Sequence, residues 1–287
     1  MEAISKYRCI IGEGPIWNEF DKKVYHVNAF GGKEICCIDL ETGENTVRKL
    51  DFAVVAMGFT QKGEMLVSCA DGAHILNADN TCTPLYDRGK YEIKYGNDAK
   101  VGPDGRFYIG TKSSKFVGTG NEIDGKLYSI DKNGDVKVLL DGLILSNGFD
   151  WSMNEKRFYH TDSATSIIKE YDFNKENGEM SFTGRQIKIL GVDGFTIDQN
   201  DFLYVACWGQ GYIAVVDTAD MQIKDYISVP ANAPASCCFA GEDMKKLVVV
   251  TASFGEDLEK DINAGYTFVC NVKNQGRKPY LFGGKSK

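Results

Sequence analysis

Four residues with oxygen-donating side chains stand at equivalent places in a repeating pattern of predicted strands. Glu13, Asn97, Asn147 and Asp193 each come immediately before a short segment that is typical of a β-strand. Carboxylate and carboxamide oxygens are the ligands that hard cations such as Ca²⁺ and Mg²⁺ prefer, and Mn²⁺ also accepts them. A fold that brings these side chains to one point would therefore create a site for a divalent cation.

A purely structural role is the alternative for these four residues. Asn, Asp and Glu at the start of a strand often cap a turn by bonding nearby backbone groups. The three histidines, His26, His74 and His160, fall outside this register and are predicted to be structural. Zinc would therefore find only carboxylate ligands at such a site. DKNGD at 131–135 lacks the glycine and glutamate spacing of a calcium-binding EF-hand loop, which predicts a hairpin turn there.

The elements that would position these side chains repeat six times along the chain. Each repeat has a short strand, a polar or glycine turn, a more apolar strand, a third strand that ends near an Asx residue, and a weaker fourth strand. Successive repeats are 44, 40, 50, 46 and 43 residues apart, measured between the residues that precede their first strands: Glu13, Met57, Asn97, Asn147, Asp193 and Ser236. Repeats of this length predict the blades of a β-propeller.

The predicted fold is all-β: a six-bladed β-propeller with four antiparallel strands per blade, formed by residues 1–287 as a single domain. The last repeat has only a short C-terminal strand, expected near Lys278–Phe282. We expect the N-terminal strand, placed at Tyr7–Ile11, to complete that blade and close the ring. Because the first strands of all blades line the central channel from the same end, Glu13, Asn97, Asn147 and Asp193 should converge at its mouth.

Composition excludes several other classes of protein. With 43% apolar and 25% charged residues, the 287-residue chain resembles neither a disordered protein nor a membrane bundle. The 33 basic and 40 acidic residues give a net charge of −7, which disfavours nucleic-acid binding. No apolar run is long enough to cross a bilayer, and no signal peptide is visible.

The cysteines indicate the compartment. There are nine, an odd number, with no C-x-x-C pair, and most stand in apolar segments. They are predicted to be reduced thiols packed in the core rather than disulfides or a zinc site, and the protein to be cytoplasmic. The sequence leaves the oligomeric state open.

Several motifs resemble the gluconolactonase / senescence marker protein family, which is regucalcin-like, and the resemblance extends over nearly the whole chain. They are IGEGPIW at 11–17, GNDAKVGPDGRFYIGT at 96–111, LSNGFDWS at 145–152, YHTDS at 159–163 and GVDGFTIDQNDFLYVACWG at 191–209. The resemblance implies a six-bladed propeller with one divalent cation on its axis. By motif match, Glu13, Asn147 and Asp193 would be the metal ligands. Asn97 would lie beside them, in contact with the substrate or a metal-bound water.

Two residues depart from the family pattern at positions expected to contact substrate. Tyr95 stands where sugar-lactone members often have an arginine, and Lys112 replaces the methionine of a Gly-Thr-Met motif. Both are candidates for the substrate-binding rim. The departures favour lactone hydrolysis in general over any particular sugar.

The predicted function is that of a metal-dependent hydrolase that opens a cyclic ester, with a sugar lactone as the first candidate substrate. Ca²⁺ is the first candidate for the cation, and Mg²⁺, Mn²⁺ or Zn²⁺ could replace it. The cation would polarise the lactone carbonyl and activate water, while Asp193 orients or deprotonates that water and Asn97 positions the substrate. The alternatives are a phosphotriesterase or arylesterase on the same site, and a non-catalytic propeller that binds calcium.

Overall fold

The innermost strands are the most deeply buried strands of the fold, because other strands or blades cover both of their faces. In a computed structural model that describes residues 1–284, every residue of the strands SNGFDW at 146–151 and PASCCFA at 234–240 is buried. An outermost strand such as QIKDYIS at 222–228 alternates between half-buried and exposed residues. This gradient, from a dry axis to a solvated rim, is the burial pattern of sheets arranged around a central channel.

The strands, numbered along the chain, form six four-stranded antiparallel sheets. The first strand, β1 (Glu2–Ser5), belongs to the last sheet. In blades one to three, the strands follow the chain from the axis outwards. Blade one has β2 (Ile11–Asn18), β3 (Lys23–Ala29), β4 (Glu34–Asp39) and β5 (Asn45–Lys49), and blade two has β6 (Val54–Phe59), β7 (Met65–Cys69), β8 (Gly72–Leu76) and β9 (Cys82–Pro84). Blade three has β10 (Gly96–Val101), β11 (Phe107–Thr111), β12 (Gly125–Ile130) and β13 (Val136–Leu143). A short helix, α1 (Ser114–Val117), lies between β11 and β12.

The other three blades repeat this meander, and the last one takes its outer strand from the N-terminus. Blade four has β14 (Ser146–Trp151), β15 (Arg157–Asp162), β16 (Ile167–Asn174) and β17 (Glu179–Lys188). Blade five has β18 (Val192–Ile197), β19 (Phe202–Cys207), β20 (Tyr212–Asp217) and β21 (Gln222–Ser228). Blade six has β22 (Pro234–Ala240), β23 (Lys246–Thr251), β24 (Thr267–Asn271) and β1. The predicted six-bladed β-propeller is confirmed.

The strand that closes the ring lies earlier in the chain than the sequence predicted. β1, not Tyr7–Ile11, pairs with β24, through Glu2 opposite Val269. Residues 6–10 cross from the rim of blade six to the axis, where Ile11 already begins β2. Their polar backbone groups are satisfied there: the Cys9 N–H bonds to the Gly265 carbonyl at 2.8 Å.

The predicted C-terminal strand is also absent from blade six. Among the described residues, 278–281 form no strand, and Phe282 makes only an isolated parallel bridge with Thr60 of blade two. The segment lies across the ring instead, because Arg277 reaches the buried Asp150 of blade four.

Aromatic packing joins blades three and four, which carry Asn97 and Asn147. The Tyr108 and Trp151 rings meet edge to face, with centroids 4.8 Å apart, and Phe158 packs on the same indole. Trp151 is fully buried, and removing such a side chain costs about 3–5 kcal/mol. This cluster therefore holds the two blades in a fixed relation.

The predicted turn at 131–135 is confirmed. The DKNGD segment is the turn between β12 and β13, where Asp131 Oδ1 accepts hydrogen bonds from the N–H groups of Asn133 and Asp135. All nine cysteines are free, and six of them are fully buried.

Candidate metal centre

A β-bulge interrupts every innermost strand near its start. The ladder with the second strand shifts register between Glu13 and Ile16, Val54 and Ala56, Gly96 and Ala99, Asn147 and Phe149, Val192 and Phe195, and Pro234 and Ser236. Bulges redirect side chains and are frequent beside active sites. The candidate ligands therefore lie within the strands rather than immediately before them, as the sequence had suggested.

Glycines after the candidate ligands let neighbouring blades approach closely at the axis. A Cβ atom on Gly148 would overlap the carbonyl oxygen of Asp193, and one on Gly194 would overlap Ser236 Oγ. These glycines follow Asn147 and Asp193 directly. Blades four and five can therefore bring these two side chains into contact.

The structure brings together five of the six residues predicted for the site. Glu13, Asn97, Lys112, Asn147 and Asp193 line one cavity of about 360 Å³ at the end of the channel where the inner strands begin. The remaining axial residues, from blades two and six, line the deeper part of the channel. Residues far apart in sequence thus meet at the channel mouth.

Two hydrogen bonds orient the amide side chains of this cavity. Asn147 Nδ2 donates to Asp193 Oδ1, in the neighbouring blade. Asn97 Nδ2 donates to the Ser146 carbonyl at 3.0 Å. Both bonds use the amide nitrogen, so each amide oxygen remains available to a ligand in the cavity.

Three carboxyl groups crowd the axis and disfavour one another's ionisation. Burial raises the pKa of Asp193 well above its usual value, and the nearby Asp98 charge raises it further. Burial also raises the pKa of Glu13, with further contributions from Asp193 and Asp98. Burial raises the pKa of Asp98 to about 6. A bound cation would relieve this repulsion, since an opposite charge favours the ionised form.

The donor set at the mouth suits a hard divalent cation. It offers two carboxylates and two amides, and no cysteine or histidine lines the described cavity. His160 lies elsewhere, with Nε2 2.8 Å from Ser146 Oγ, and burial lowers its pKa to about 3. A centre formed by Glu13, Asn147 and Asp193 would thus be an oxygen-only site, which fits Ca²⁺ or Mg²⁺.

Lys112 places a cationic side chain beside the candidate ligands. It is 8% exposed, and its Nζ lies 4.3 Å from the centroid of the Phe30 ring. Burial lowers the pKa of Lys112, whereas Glu13 and Asp193 act in the opposite direction. Lys112 thus lies in the cavity wall, and its role in substrate binding stays a prediction.

Tyr95 is not brought into the cavity, and this corrects its expected place at the rim. Its φ of 57° is positive, and its backbone is held by bonds from its N–H to the Ala70 carbonyl and from the Lys112 N–H to its own carbonyl. Its hydroxyl lies 2.9 Å from Thr119 Oγ1, in the loop that contains α1. The side chain therefore lies against that loop.

Sequence reasoning missed two polar residues near the axis. Asp98 follows Asn97 at a position where four of the other blades have glycine, and it lines the deeper channel. Ser163 lines the mouth, and its buried Oγ has no hydrogen-bond partner among the described residues. The missing glycine could have indicated Asp98, whereas nothing in the repeat pattern indicates Ser163.

The C-terminal segment lines the deeper part of the channel. Asp150 there accepts hydrogen bonds from Arg277 and, at 2.9 Å, from Lys100 Nζ. Tyr280 packs on the Arg277 guanidinium and donates to Glu155 Oε1 at 3.0 Å. These contacts hold the segment in place against the blades, away from the residues of the mouth.

The fold and the site together define the class of this protein: a six-bladed propeller with oxygen donors at one end of its axis. The chain belongs to the family described as SMP-30/Gluconolactonase/LRE-like region, whose model matches residues 11–253. The resemblance found in the sequence motifs is thereby confirmed.

Individual relatives match over nearly their whole length. A protein of Bacillus subtilis (strain 168), named "Putative sugar lactone lactonase YvrE", is 30% identical over 286 residues, which cover 96% of each chain. Regucalcin of Gallus gallus is 27% identical over 296 residues, covering 99% of this chain and 98% of its own.

A solved structure shows the same fold. The calcium-binding protein regucalcin of Agrobacterium tumefaciens superimposes with a TM-score of 0.85 at 22% identity, covering 98% of this chain and 96% of its own. In the part of the chain that the structure describes, no helix has the length and apolarity needed to cross a membrane.

Proposed function

We propose that this protein is a lactonase that opens a cyclic ester, of the sugar-lactone type, with the help of one divalent cation. The observation that carries the proposal is that Glu13, Asn147 and Asp193, from three different blades, present oxygen donors to one open cavity. Family membership and the name of the Bacillus subtilis relative support lactone chemistry.

Three side chains would hold the cation. The bond between Asn147 and Asp193 leaves Asn147 Oδ1 and Asp193 Oδ2 available, and the Glu13 carboxylate completes the set. Ca²⁺ is the first choice because all donors are oxygens and because the Agrobacterium relative is described as calcium-binding. When bound, the cation would polarise the lactone carbonyl and lower the pKa of a water molecule.

The chain's own residues would then position the substrate and move one proton. Asn97 Oδ1 is available to orient the substrate, since its Nδ2 is engaged with Ser146. Asp193 would take a proton from the attacking water and return it to the ring oxygen as the C–O bond breaks. Lys112 would place positive charge near the carbonyl oxygen as negative charge develops on it.

The same donor set would also suit an arylesterase or phosphotriesterase, or a propeller that binds calcium without catalysis. The deciding experiment combines metal analysis of the purified protein with hydrolysis assays on lactones, an aryl ester and a phosphotriester. We expect about one equivalent of cation and lactone hydrolysis that a chelator abolishes and added cation restores. Full activity in excess chelator, with no bound metal, would overturn the mechanism.

We also propose that the protein works in a reducing compartment such as the cytoplasm. This rests on its nine free cysteines, all of which lack a disulfide partner. A mass measurement of thiols alkylated in freshly prepared cell lysate under denaturing conditions would show nine modified cysteines. Disulfides in that sample would contradict the proposal.

A further inference from the structure

Four aromatic side chains surround the entrance to the cavity above the proposed metal ligands. Phe30, Phe116, Trp208 and Phe254 follow the second strands of blades one, three, five and six, so they share one end of the ring. We call this set the aromatic mouth. A substrate that enters the cavity would contact these rings before it reached the polar groups below them.

The aromatic mouth gathers several exposed apolar side chains around one cavity. Phe30 is 54% exposed, Phe116 48% and Phe254 59%, and the Phe30 and Phe254 rings lie 6.5 Å apart. Exposed apolar patches of this kind mark binding sites on otherwise soluble proteins. A ligand that covered these rings would gain the free energy of removing them from water.

Polar partners for a polyhydroxylated substrate are few. Beyond the three proposed metal ligands, the polar groups lining this cavity are the side chains of Asn97, Lys112 and Ser163 and the indole N–H of Trp208. Asn97 already donates one amide hydrogen to Ser146, and Ser163 Oγ has no hydrogen-bond partner among the residues that the structure describes. Sugar hydroxyls that pressed against the aromatic faces would lose hydrogen bonds to water without replacement, which is unfavourable.

We infer that the natural substrate is a lactone with an alkyl or aryl substituent that packs within the aromatic mouth. The ester group would lie below it, within reach of Lys112 and Ser163. This inference rests on the proposed lactonase function, and it replaces the sugar lactone with an apolar lactone as the expected natural substrate.

The test compares three δ-lactones: gluconolactone, unsubstituted valerolactone and a valerolactone with an alkyl chain. We expect kcat/KM to be at least about 10-fold higher for the alkyl lactone than for gluconolactone, because each buried methylene adds discrimination. A higher kcat/KM for gluconolactone would overturn the inference but leave the lactonase proposal intact.

Variants of the aromatic mouth provide the second arm of the test. Phe254→Ala should lower kcat/KM for the alkyl lactone about 10-fold while leaving valerolactone nearly unchanged. Phe182→Ala is the matched control, since Phe182 is also half exposed, at 50%, but lies on the outer strand β17. Equal effects of both variants, or none, would contradict the inference.

A binding measurement keeps the inference testable if no lactone is hydrolysed, an outcome that would refute the proposed function. Calorimetry with the corresponding lactams, which resist hydrolysis, would measure affinity alone. The alkyl lactam should bind at least about 10-fold more tightly than the polyhydroxylated lactam. The reverse order would show that the mouth does not select apolar groups.

A second, independent feature is a cluster of buried sulfur and nitrogen ligands where blades six and one meet. The potential ligand atoms of Cys9, His26 and Cys36 all lie within 4.8 Å of one another, and each residue is at most 1% exposed. Cys36 lies opposite His26 in the β3–β4 ladder. We call these three residues the seam cluster.

The seam cluster connects parts of the chain that must join to close the ring. Cys9 lies in the link between β1 and β2, and its carbonyl accepts a 2.8 Å hydrogen bond from Ser253 Oγ of the last blade. His26 Nε2 lies 3.3 Å from Thr267 Oγ1, which is also in the last blade. A ligand bound here would therefore tie blade one to the link that arrives from β1, the outer strand of the last blade.

We propose that the seam cluster binds one thiophilic cation, Zn²⁺ or Cu⁺, through two thiolates and an imidazole. Cysteine and histidine ligands select these ions over the hard cations suited to the channel mouth. Binding would release the thiol protons to solvent and stabilise the closed ring, since the unfolded chain lacks the preformed site.

Titration of the metal-free protein with Co²⁺, as a probe for Zn²⁺, tests the proposal directly. One equivalent should produce a thiolate-to-cobalt charge-transfer band, and a Cu⁺ titration against a coloured chelator tests the other ion. Cys36→Ala should abolish both responses, whereas the control Cys270→Ala, on β24 outside the cluster, should keep them. If the wild-type protein gives neither response, the proposal fails whether or not the variants fold.

Discussion

Asn147 Nδ2 donates a hydrogen bond to Asp193 Oδ1 across the boundary between blades four and five. The bond joins residues 46 positions apart and leaves one oxygen of each side chain free. The amide and the carboxylate therefore behave as a unit. A substitution at either residue should change the environment of both.

Replacing Asp193 should separate its role as a ligand from its role in proton transfer. Asp193→Asn keeps an oxygen donor but removes the charge, so the lactonase rate should stay about 10²–10⁴-fold lower even at saturating cation. Glu13→Gln is the matched control, and saturating cation should restore most of its rate. Steady-state kinetics at increasing Ca²⁺ would measure both, and equal recovery would rule out proton transfer by Asp193.

Adding a methyl group at Gly148 should force blades four and five apart at the channel mouth. A Cβ there would overlap the Asp193 carbonyl oxygen, so Gly148→Ala should weaken cation binding by at least about 10-fold. Gly89→Ala is the control, because the nearest atom to its Cβ would be a flexible, exposed carboxylate oxygen of Asp87. Calorimetric Ca²⁺ titrations would measure the affinity of both variants. Unchanged affinity in Gly148→Ala would show that cation binding does not depend on the close approach of blades four and five.

The pH dependence of stability should show the strain at Asp98. Burial raises its pKa to about 6, so the folded metal-free protein holds this proton more tightly than the unfolded chain. Ionisation of Asp98 should therefore lower the free energy of unfolding as pH rises from about 4 to about 6. Between pH 4 and 7, the free energy of unfolding of Asp98→Asn should fall about 2 kcal/mol less than that of the wild type. Urea unfolding without metal tests this, and parallel pH curves would contradict it.

The C-terminal segment offers a pair of adjacent cations in different environments. Arg277→Ala should lower the free energy of unfolding by about 1.5–3 kcal/mol, since the buried Asp150 loses one of its two cationic partners and keeps Lys100. Lys278→Ala should cost less than about 1 kcal/mol, because its side chain is 59% exposed in a surface pair with Glu19. Denaturant unfolding would measure the free energy of unfolding of both variants. A loss in Arg277→Ala as small as that in Lys278→Ala would show that the buried ion pair does not stabilise the fold.

The sequence predicted the blades and the axial residues because both depend on register. Asn97, Asn147 and Asp193 are each the second residue of an inner strand, so one repeat pattern places all three. The closing strand was misplaced because YRCII at 7–11 is more apolar than EAIS at 2–5. Cys9 is apolar and buried, but it lies in a crossing link rather than in a strand.

Features that depend on loops could not be predicted in this way. Tyr95 was expected at the rim, but its positive φ, which has no periodic signal in the sequence, places its side chain against Thr119. The phenylalanines of the aromatic mouth lie in loops of different lengths. Their convergence results from the ring geometry and from no spacing along the chain.

The pairing of β1 with β24 has a consequence for how the protein is made. Glu2 is synthesised long before its partner Val269, because nearly all of the propeller lies between them in the chain. The inner strands of the early blades can meet while synthesis continues, but the N-terminal strand must remain unpaired until the last blade appears. An N-terminal fusion that delayed this strand would therefore leave an exposed edge on blade six, where newly made chains could pair with one another.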